Sequence, residues 1–324
     1  MLPRPKTRRP MTKSQQNEPA PILMVAGPTG IGKTEVAVRL ARGQRVELIS
    51  ADSMQVYKGM GIGTAQPTPE EMGEVPIHGI GMMRPDEPFN AKIFVDYCTR
   101  VHAGILERGN TPIYVGGTGL YLRSLRWGLF DSPAISPDLR IELAAELDAR
   151  GPQALHERLA RLDAVSAGRI QPQDGVRIVR ALEVAESGEA PLSELQGQWD
   201  DQRPLFDHRL AILNCPREAL IRRIERRVDS MLEAGWVSEV RALLAEGYPP
   251  SLHCFKALGY PQILAHLRGD SSLDEAREQI KAKTRQFSKR QMTWFRREKD
   301  AHWIDCHGVD VESLAVQIQK LLDP

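Results

Sequence analysis

The sequence predicts an α/β fold: a doubly wound parallel sheet, interrupted by a helical insertion and completed by a helical C-terminal region. Three observations carry this. The short apolar runs ILMVA (22–26), VELIS (46–50) and PIYVG (112–116) are separated by helical patterns at 33–42 and 91–108. That is the βαβαβ order of a sheet with helices on both faces. The first run passes directly into a glycine-rich turn, and strand-like runs then stop over 131–200. From Pro216 onward the pattern is almost entirely helical.

Taken in order, residues 1–20 are rich in Pro, Arg, Lys and Gln, a composition that cannot bury a core, so a disordered tail is expected. Residues 21–130 form the first part of the sheet domain. The insertion, 131–200, opens on the Pro-rich DSPAISPDLR and closes near the acidic, Trp-containing QGQWDDQRP. Residues 201–324 complete the core with a fourth strand, RLAILN (209–214), and a fifth, HWID (302–305). A long charged helix is expected over about 273–299.

At 324 residues and 41% apolar content the chain has ample material for a packed core. No apolar run approaches the roughly 20 residues of a membrane span, and the N-terminus lacks the apolar core of a signal peptide, so a cytoplasmic protein is expected. Cys98, Cys215, Cys254 and Cys306 lie far apart with no C-x-x-C pair, which argues against a zinc module or a disulfide framework. His302, Cys306 and His307 make a loose trio that reads as an ordinary chain end. With a net charge of only +1, a nucleic-acid footprint must lie in how charge is distributed.

Gly27 to Thr34, GPTGIGKT, fit the phosphate-loop pattern G-x-x-x-x-G-K-[ST], between a predicted strand and a predicted helix. The sheet is therefore expected to be P-loop NTPase-like. Glycines let successive amides turn inward around phosphate oxygens, the helix N-terminus adds positive potential, Lys33 adds a full charge, and Thr34 can ligate Mg²⁺. Such a loop normally announces ATP or GTP. A phosphate-loop hydrolase also places a carboxylate at the end of a second strand to hold the metal. Here PIYVG runs into GGTGLYL with none. The carboxylate follows the neighbouring strand instead, as Asp52 in ADSMQ, at the edge that lines ligand crevices in such sheets. Asp52 also suits the capping of its own turn, and the two roles are compatible. A carboxylate facing an acceptor atom, with a diphosphate on the loop, suits group transfer better than hydrolysis.

GPTGIGKT, DSMQVYKGMGIGTAQP, GGTGLYL, RIVRALEV, KALGY and KRQMTWFR occur in the order seen in the tRNA dimethylallyltransferases, and the chain resembles that family over roughly residues 20–305. The resemblance implies transfer of a dimethylallyl group from dimethylallyl diphosphate to N6 of the adenine 3′-adjacent to the anticodon, with Mg²⁺ as cofactor. It also implies that Gly27, Thr29, Gly30, Gly32, Lys33 and Thr34 hold the diphosphate and that Thr34 meets Mg²⁺. By the same likeness Asp52 is the general base at the adenine amine, Thr118 stands beside it, and Arg227 of RRIERRVDSML neutralises the leaving diphosphate. The tRNA contacts implied are Asp52, Ser53, Met54, Gln55 and Thr118; Val176, Arg177 and Arg180; Lys256, Gly259 and Tyr260; and Lys289, Arg290, Gln291, Thr293, Trp294 and Arg296. The chain departs from the family at Gly61, often Asp, at Gln66, often Lys, and at IHGIG (77–81), where the family has His-His-Leu-Ile-Asp. It carries no C-terminal zinc-finger extension of the eukaryotic kind, which fits a bacterial-type enzyme acting as a monomer.

The residues themselves also point to RNA. A flipped base needs a cationic backbone track and a surface to stack on. At helical pitch Lys281, Arg285, Lys289 and Arg296 fall within about 80° of one another, with Ile280, Phe287 and Trp294 as an apolar stripe opposite. Residues 281–297 hold seven basic residues and no acidic one. Phe287 and Trp294 are expected in the core. In the insertion's last helix Arg177 and Arg180 share a face opposite Ile178, Ala181, Leu182 and Ala185. Two other enzymes fit the phosphate loop, an adenylate isopentenyltransferase and a nucleoside kinase, but neither needs the basic helix. A non-catalytic RNA-binding protein would leave the loop and Asp52 idle.

Overall fold

The computed structural model describes residues 21–129, 135–188, 191–197 and 204–322; the tail expected over 1–20 lies outside them. Six strands form one all-parallel sheet: β1 (Ile22–Ala26), β2 (Val46–Ser50), β3 (Ile77–His78), β4 (Thr111–Gly116), β5 (His208–Asn214) and β6 (Ala301–Asp305), in the order β3-β2-β4-β1-β5-β6. The phosphate-loop α/β class holds, and the five expected strands appear at or within one residue of their places. The central strand β1 pairs with β4 from Leu23 opposite Ile113 to Ala26 opposite Gly116, and with β5 from Ile22 opposite His208 to Ala26 opposite Ile212. Buried on both faces, its ILMVA run has no polar alternation.

The chain divides into two compact units, residues 1–123 with 206–324, and Ser124–Leu205. In the first lie α1 (Lys33–Ala41), α2 (Pro69–Met72), α3 (Ala91–Glu107) and α4 (Gly119–Trp127), which crosses its boundary. The second, bracketing 131–200, carries α5 (Pro137–Leu162), α6 (Ala164–Arg169), α7 (Gly175–Glu186) and α8 (Leu192–Gly197) around its own core of Leu143, Leu155, Leu159, Ile178 and Leu182. The chain then returns to the first unit with β5, α9 (Arg217–Glu233), α10 (Trp236–Ala245), a 3-10 turn at His253–Lys256, α11 (Tyr260–Leu267), α12 (Leu273–Phe295), β6 and α13 (Val311–Gln319).

The sequence reading missed β3. It is two residues long, against Leu48 and Ile49 of β2, too short for any periodicity. It is secured from the side: Glu47 of β2, 5% exposed, accepts from Arg108 Nε at 2.9 Å and Nη2 at 2.8 Å and from Asn110 at 2.7 Å, and meets His78 Nε2 at 2.6 Å. The bidentate Arg108 bond, despite burial, holds the Glu47 carboxyl down to about 2. The four cysteines are all buried and unpaired. α12 stops at Phe295 rather than near 299, its start fixed by a capping box between Ser272 and Glu275.

Candidate active site

The phosphate loop joins β1 to α1. Gly32, the N-cap of α1, has φ +97°, a left-handed turn that an L side chain resists, and it lets the helix begin at Lys33 with its first-turn amides facing outward. Lys33 Nζ donates to the Pro28 carbonyl at 2.9 Å, across the loop. Burial, then the charge of Arg227, bring the Lys33 ammonium down to about 8, with Asp52 opposing. One loop amide is already engaged: the Thr29 N–H donates to Gln291 Oε1 at 2.8 Å. The cradle open to phosphate therefore begins after Thr29, at Gly30, and runs to Thr34.

Asp52 stands just past the C-terminal end of β2. Its Oδ1 accepts from the Met54 N–H at 2.9 Å and the Gln55 N–H at 3.3 Å, a carboxylate-capped turn. Thr118, after β4, accepts from the Ser53 N–H at 3.2 Å and donates its own N–H to the Ala51 carbonyl. Asp52 and Thr118 thus sit on two adjoining loops tied to each other by hydrogen bonds. Gln55 holds the same region from beneath: its amide donates to Ala65 O at 2.9 Å and Thr64 O at 3.3 Å, and its oxygen accepts from Ser50. Expected to face tRNA, the Gln55 side chain is instead consumed internally. Gln66 plays the matching part, donating to Gln55 O and Tyr57 O, so where the family often has Lys this chain has a backbone clamp.

α9 brings two arginines to the loop. Arg223 Nη1 donates to the Ile31 carbonyl at 3.0 Å, and Arg227, one turn on, lines the same cavity. The sequence reading named Arg227 and missed Arg223, although the i, i+4 spacing in RRIERR was the available signal. Burial lowers Arg227's pKa, and Asp52 and Glu71 oppose the shift. A cavity of about 1110 Å³ is lined by Gly30, Lys33, Thr34, Asp52, Arg223 and Arg227. A second, of about 550 Å³, is lined by Asp52, Thr118, Met54, Trp236, Lys256 and Arg290. Both include Thr29, Gly30, Asp52, Thr64, Arg227 and Phe287. Asp52 is thus the one carboxylate that lines both cavities.

α12 corrects several expectations. Its buried face is Ala276, Ile280, Thr284, Ser288, Gln291 and Phe295. Phe287 is 36% exposed, lines both cavities and lies under the Arg290 guanidinium at 5.7 Å, so it is not a core residue. Two of the four cations of the expected basic face are spent on α9: Lys281 pairs with Asp229 at 2.8 Å and Arg285 with Glu225 at 2.7 Å. Lys283, Lys289, Arg290, Arg296 and Arg297 remain exposed. Gln291, expected at tRNA, is buried and bridges two loops, donating to Gly117 O at 2.9 Å while it accepts from Thr29. Trp294 is half-buried, its ring where a Cβ on Gly119 would sit, and Thr293 is exposed with its hydroxyl donating to Lys289 O.

The KALGY motif divides. Lys256 is exposed beside the smaller cavity. Tyr260 is fully buried, donating its hydroxyl to Glu239 at 2.7 Å, and Gly259 has φ +95° with the Trp236 ring where a side chain would be. Both are buried and neither offers RNA a surface. In the second unit Val176 is 79% exposed, Arg177 pairs with Asp174 at 3.0 Å and Arg180 with Glu183 at 2.8 Å. Ile178, Ala181 and Leu182 are buried as expected, whereas Ala185 is only half-buried.

The parallel sheet with a glycine-rich loop between β1 and α1 defines a phosphate-loop-like α/β protein. Comparison with known proteins narrows the class. The family profile described as IPP transferase matches residues 55–298, and one described as isopentenyl transferase matches 20–76. A tRNA dimethylallyltransferase of Syntrophobacter fumaroxidans is 46% identical over 93% of this chain and 87% of its own, and one of Geobacter metallireducens is 46% identical over 91% and 95%. The crystal structure of a tRNA isopentenylpyrophosphate transferase from Bacillus halodurans superposes with TM-score 0.70 at 35% identity, over 94% of this chain and 96% of that one. A eukaryotic dimethylallyltransferase captured acting on tRNA gives 0.76 at 26%, over 92% and 77%. The chain belongs to the tRNA dimethylallyltransferase family.

Proposed function

We propose that this chain transfers a dimethylallyl group from dimethylallyl diphosphate to N6 of the adenine 3′-adjacent to the anticodon in tRNA and releases diphosphate. Family membership supplies the reaction class. The observation that supports this site for it is the meeting of two cavities at Asp52, one cationic and glycine-lined, the other rimmed by Lys256 and Arg290. A nucleoside kinase or adenylate enzyme would have no use for the exposed cations of α12.

The amine lone pair of adenine is delocalised into the ring, so attack on the allylic carbon needs help at both ends. Asp52 orients the amine and accepts its proton as the new N–C bond forms, help worth about 10²–10⁴-fold. The C–O bond to the donor breaks with its electron pair leaving on the diphosphate. The loop amides from Gly30 to Thr34, Lys33, Arg223 and Arg227 take up that charge in a partly desolvated setting, where such stabilisation is strongest. Thr34, which lines the larger cavity, would hold Mg²⁺ beside the bound diphosphate, consistent with a cation that needs few protein ligands. When bound, Mg²⁺ supplies further charge neutralisation. No water attacks phosphorus, so the missing hydrolytic carboxylate after β4 is no handicap.

Asp52→Asn tests the assignment cleanly, because the amide oxygen can still cap the 52–55 turn while the base is lost. Transfer should fall by about 10²–10⁴-fold with tRNA affinity preserved; turnover at the wild-type rate would remove Asp52 from the chemistry.

A further inference from the structure

Two side chains that line the smaller cavity carry a buried polar atom with no hydrogen-bond partner, the Trp236 indole N–H and the Gln262 carboxamide oxygen, and of these the carboxamide is the one that can both donate and accept. Gln262, in the first turn of α11, is only 9% exposed, and its carboxamide oxygen is buried with no hydrogen-bond partner. A leucine or methionine of similar volume would avoid the desolvation cost of such an orphan. Its surroundings point to what offsets that cost. The side chain lines the 550 Å³ cavity that contains Asp52 and Thr118. Leu258, Trp236 and Phe287 give that cavity apolar walls, and Lys256, Lys283 and Arg290 are exposed cations beside it. Flat apolar walls with a cationic rim fit a nucleotide, base inward and phosphate outward.

We propose that Gln262 determines base specificity, its carboxamide pairing with the edge of an adenine inserted into the smaller cavity. A carboxamide presents a donor and an acceptor side by side, the complement of adenine's amine and adjacent ring nitrogen. Because no protein partner fixes the amide, it can turn to match the base. This inference rests on the reading of tRNA adenine as acceptor. The adenine read is either the acceptor itself or a neighbour in the same loop, and both present the same chemistry.

The test measures kcat/KM for the full chain and for Gln262→Leu and Gln262→Met on three sets of anticodon stem-loop RNA. One is the parent; one carries a deaza-adenine at the acceptor, lacking N1 or N7; one carries purine, without the amine, at each neighbouring adenine in turn. On the parent both variants should lose about tenfold to a hundredfold, with thermal midpoint unchanged or raised because an unpaired polar group has gone. The loss should vanish on the RNA whose altered edge is the one read, at the acceptor or at a neighbour. No loss on the parent, or an equal loss on every RNA, overturns the assignment. A wild-type chain inert on all the RNAs would instead overturn the proposed function.

Discussion

Lys33 offers a prediction that can be worked through quantitatively. Its ammonium, brought down to about 8 by burial and by the charge of Arg227, is partly neutral in the free protein at mildly alkaline pH. A bound diphosphate places negative charge beside it and restores protonation, so binding takes up a proton wherever the free form has lost one. The affinity for dimethylallyl diphosphate should then fall with rising pH. With a free value of about 8 and a bound value back near 10.4, the drop from pH 7.5 to 9.5 is roughly 22-fold, or about 1.8 kcal/mol. The prenyl diphosphate has finished its own ionisations by then, since a phosphate's last pKa lies near 6, so the dependence belongs to the protein. Isothermal titration in buffers of different ionisation enthalpy reads both quantities, and about 0.9 proton should be taken up at pH 9. Lys33→Arg, which stays charged throughout, should bind with no slope in this window. A flat wild-type profile, or an equal slope in the arginine variant, would refute the reasoning.

Gln291→Leu orphans the Thr29 N–H and the Gly117 carbonyl; urea unfolding should show a loss of about 2–4 kcal/mol, and diphosphate affinity should weaken more than RNA affinity. Lys289→Ala and Arg296→Ala should each lower the salt slope of tRNA binding by about one unit, whereas Lys281→Ala and Arg285→Ala, whose charges are spent on α9, should leave it unchanged. Ala65, which lines the larger cavity at φ +51°, sits in the left-handed region; Ala65→Gly should raise stability by about 0.5–1 kcal/mol, read as a higher thermal midpoint. Glu47, held down to about 2 from an ordinary value near 4.5, contributes stability that is present above the higher value and lost as pH falls through the lower; Glu47→Gln should flatten that part of the acid unfolding profile.

What the sequence made legible has a common cause. The apolar runs of β1, β2, β4 and β5 are buried on both faces, and the phosphate loop needs particular residues at particular spacings because its function is carried by backbone. Asp52 could be singled out because a carboxylate at a strand's C-terminal end has a limited set of uses. What stayed hidden depended on the partner across space. Gln291 reads as one more polar residue in a basic helix, yet its bond to Thr29 spans 262 positions. Lys281 and Arg285 look like a cationic face until α9 places Asp229 and Glu225 against them. Tyr260 follows a glycine in a motif that reads as surface, and only the packing of Trp236 and Phe255 buries it. Gln262 shows the reverse case, a residue ordinary in sequence and conspicuous only because the fold leaves it without a partner.

The central claim is that the loop at Gly27–Thr34 holds a leaving prenyl diphosphate rather than a nucleotide to be hydrolysed. Incubating the chain with Mg²⁺, an unmodified tRNA anticodon stem-loop and either dimethylallyl diphosphate or ATP, then weighing the RNA, tests it most directly. The account predicts the mass gain of one dimethylallyl group from the prenyl donor, located on the adenine 3′ of the anticodon, and no change with ATP. Modified RNA from ATP, with none from the prenyl donor, would contradict it.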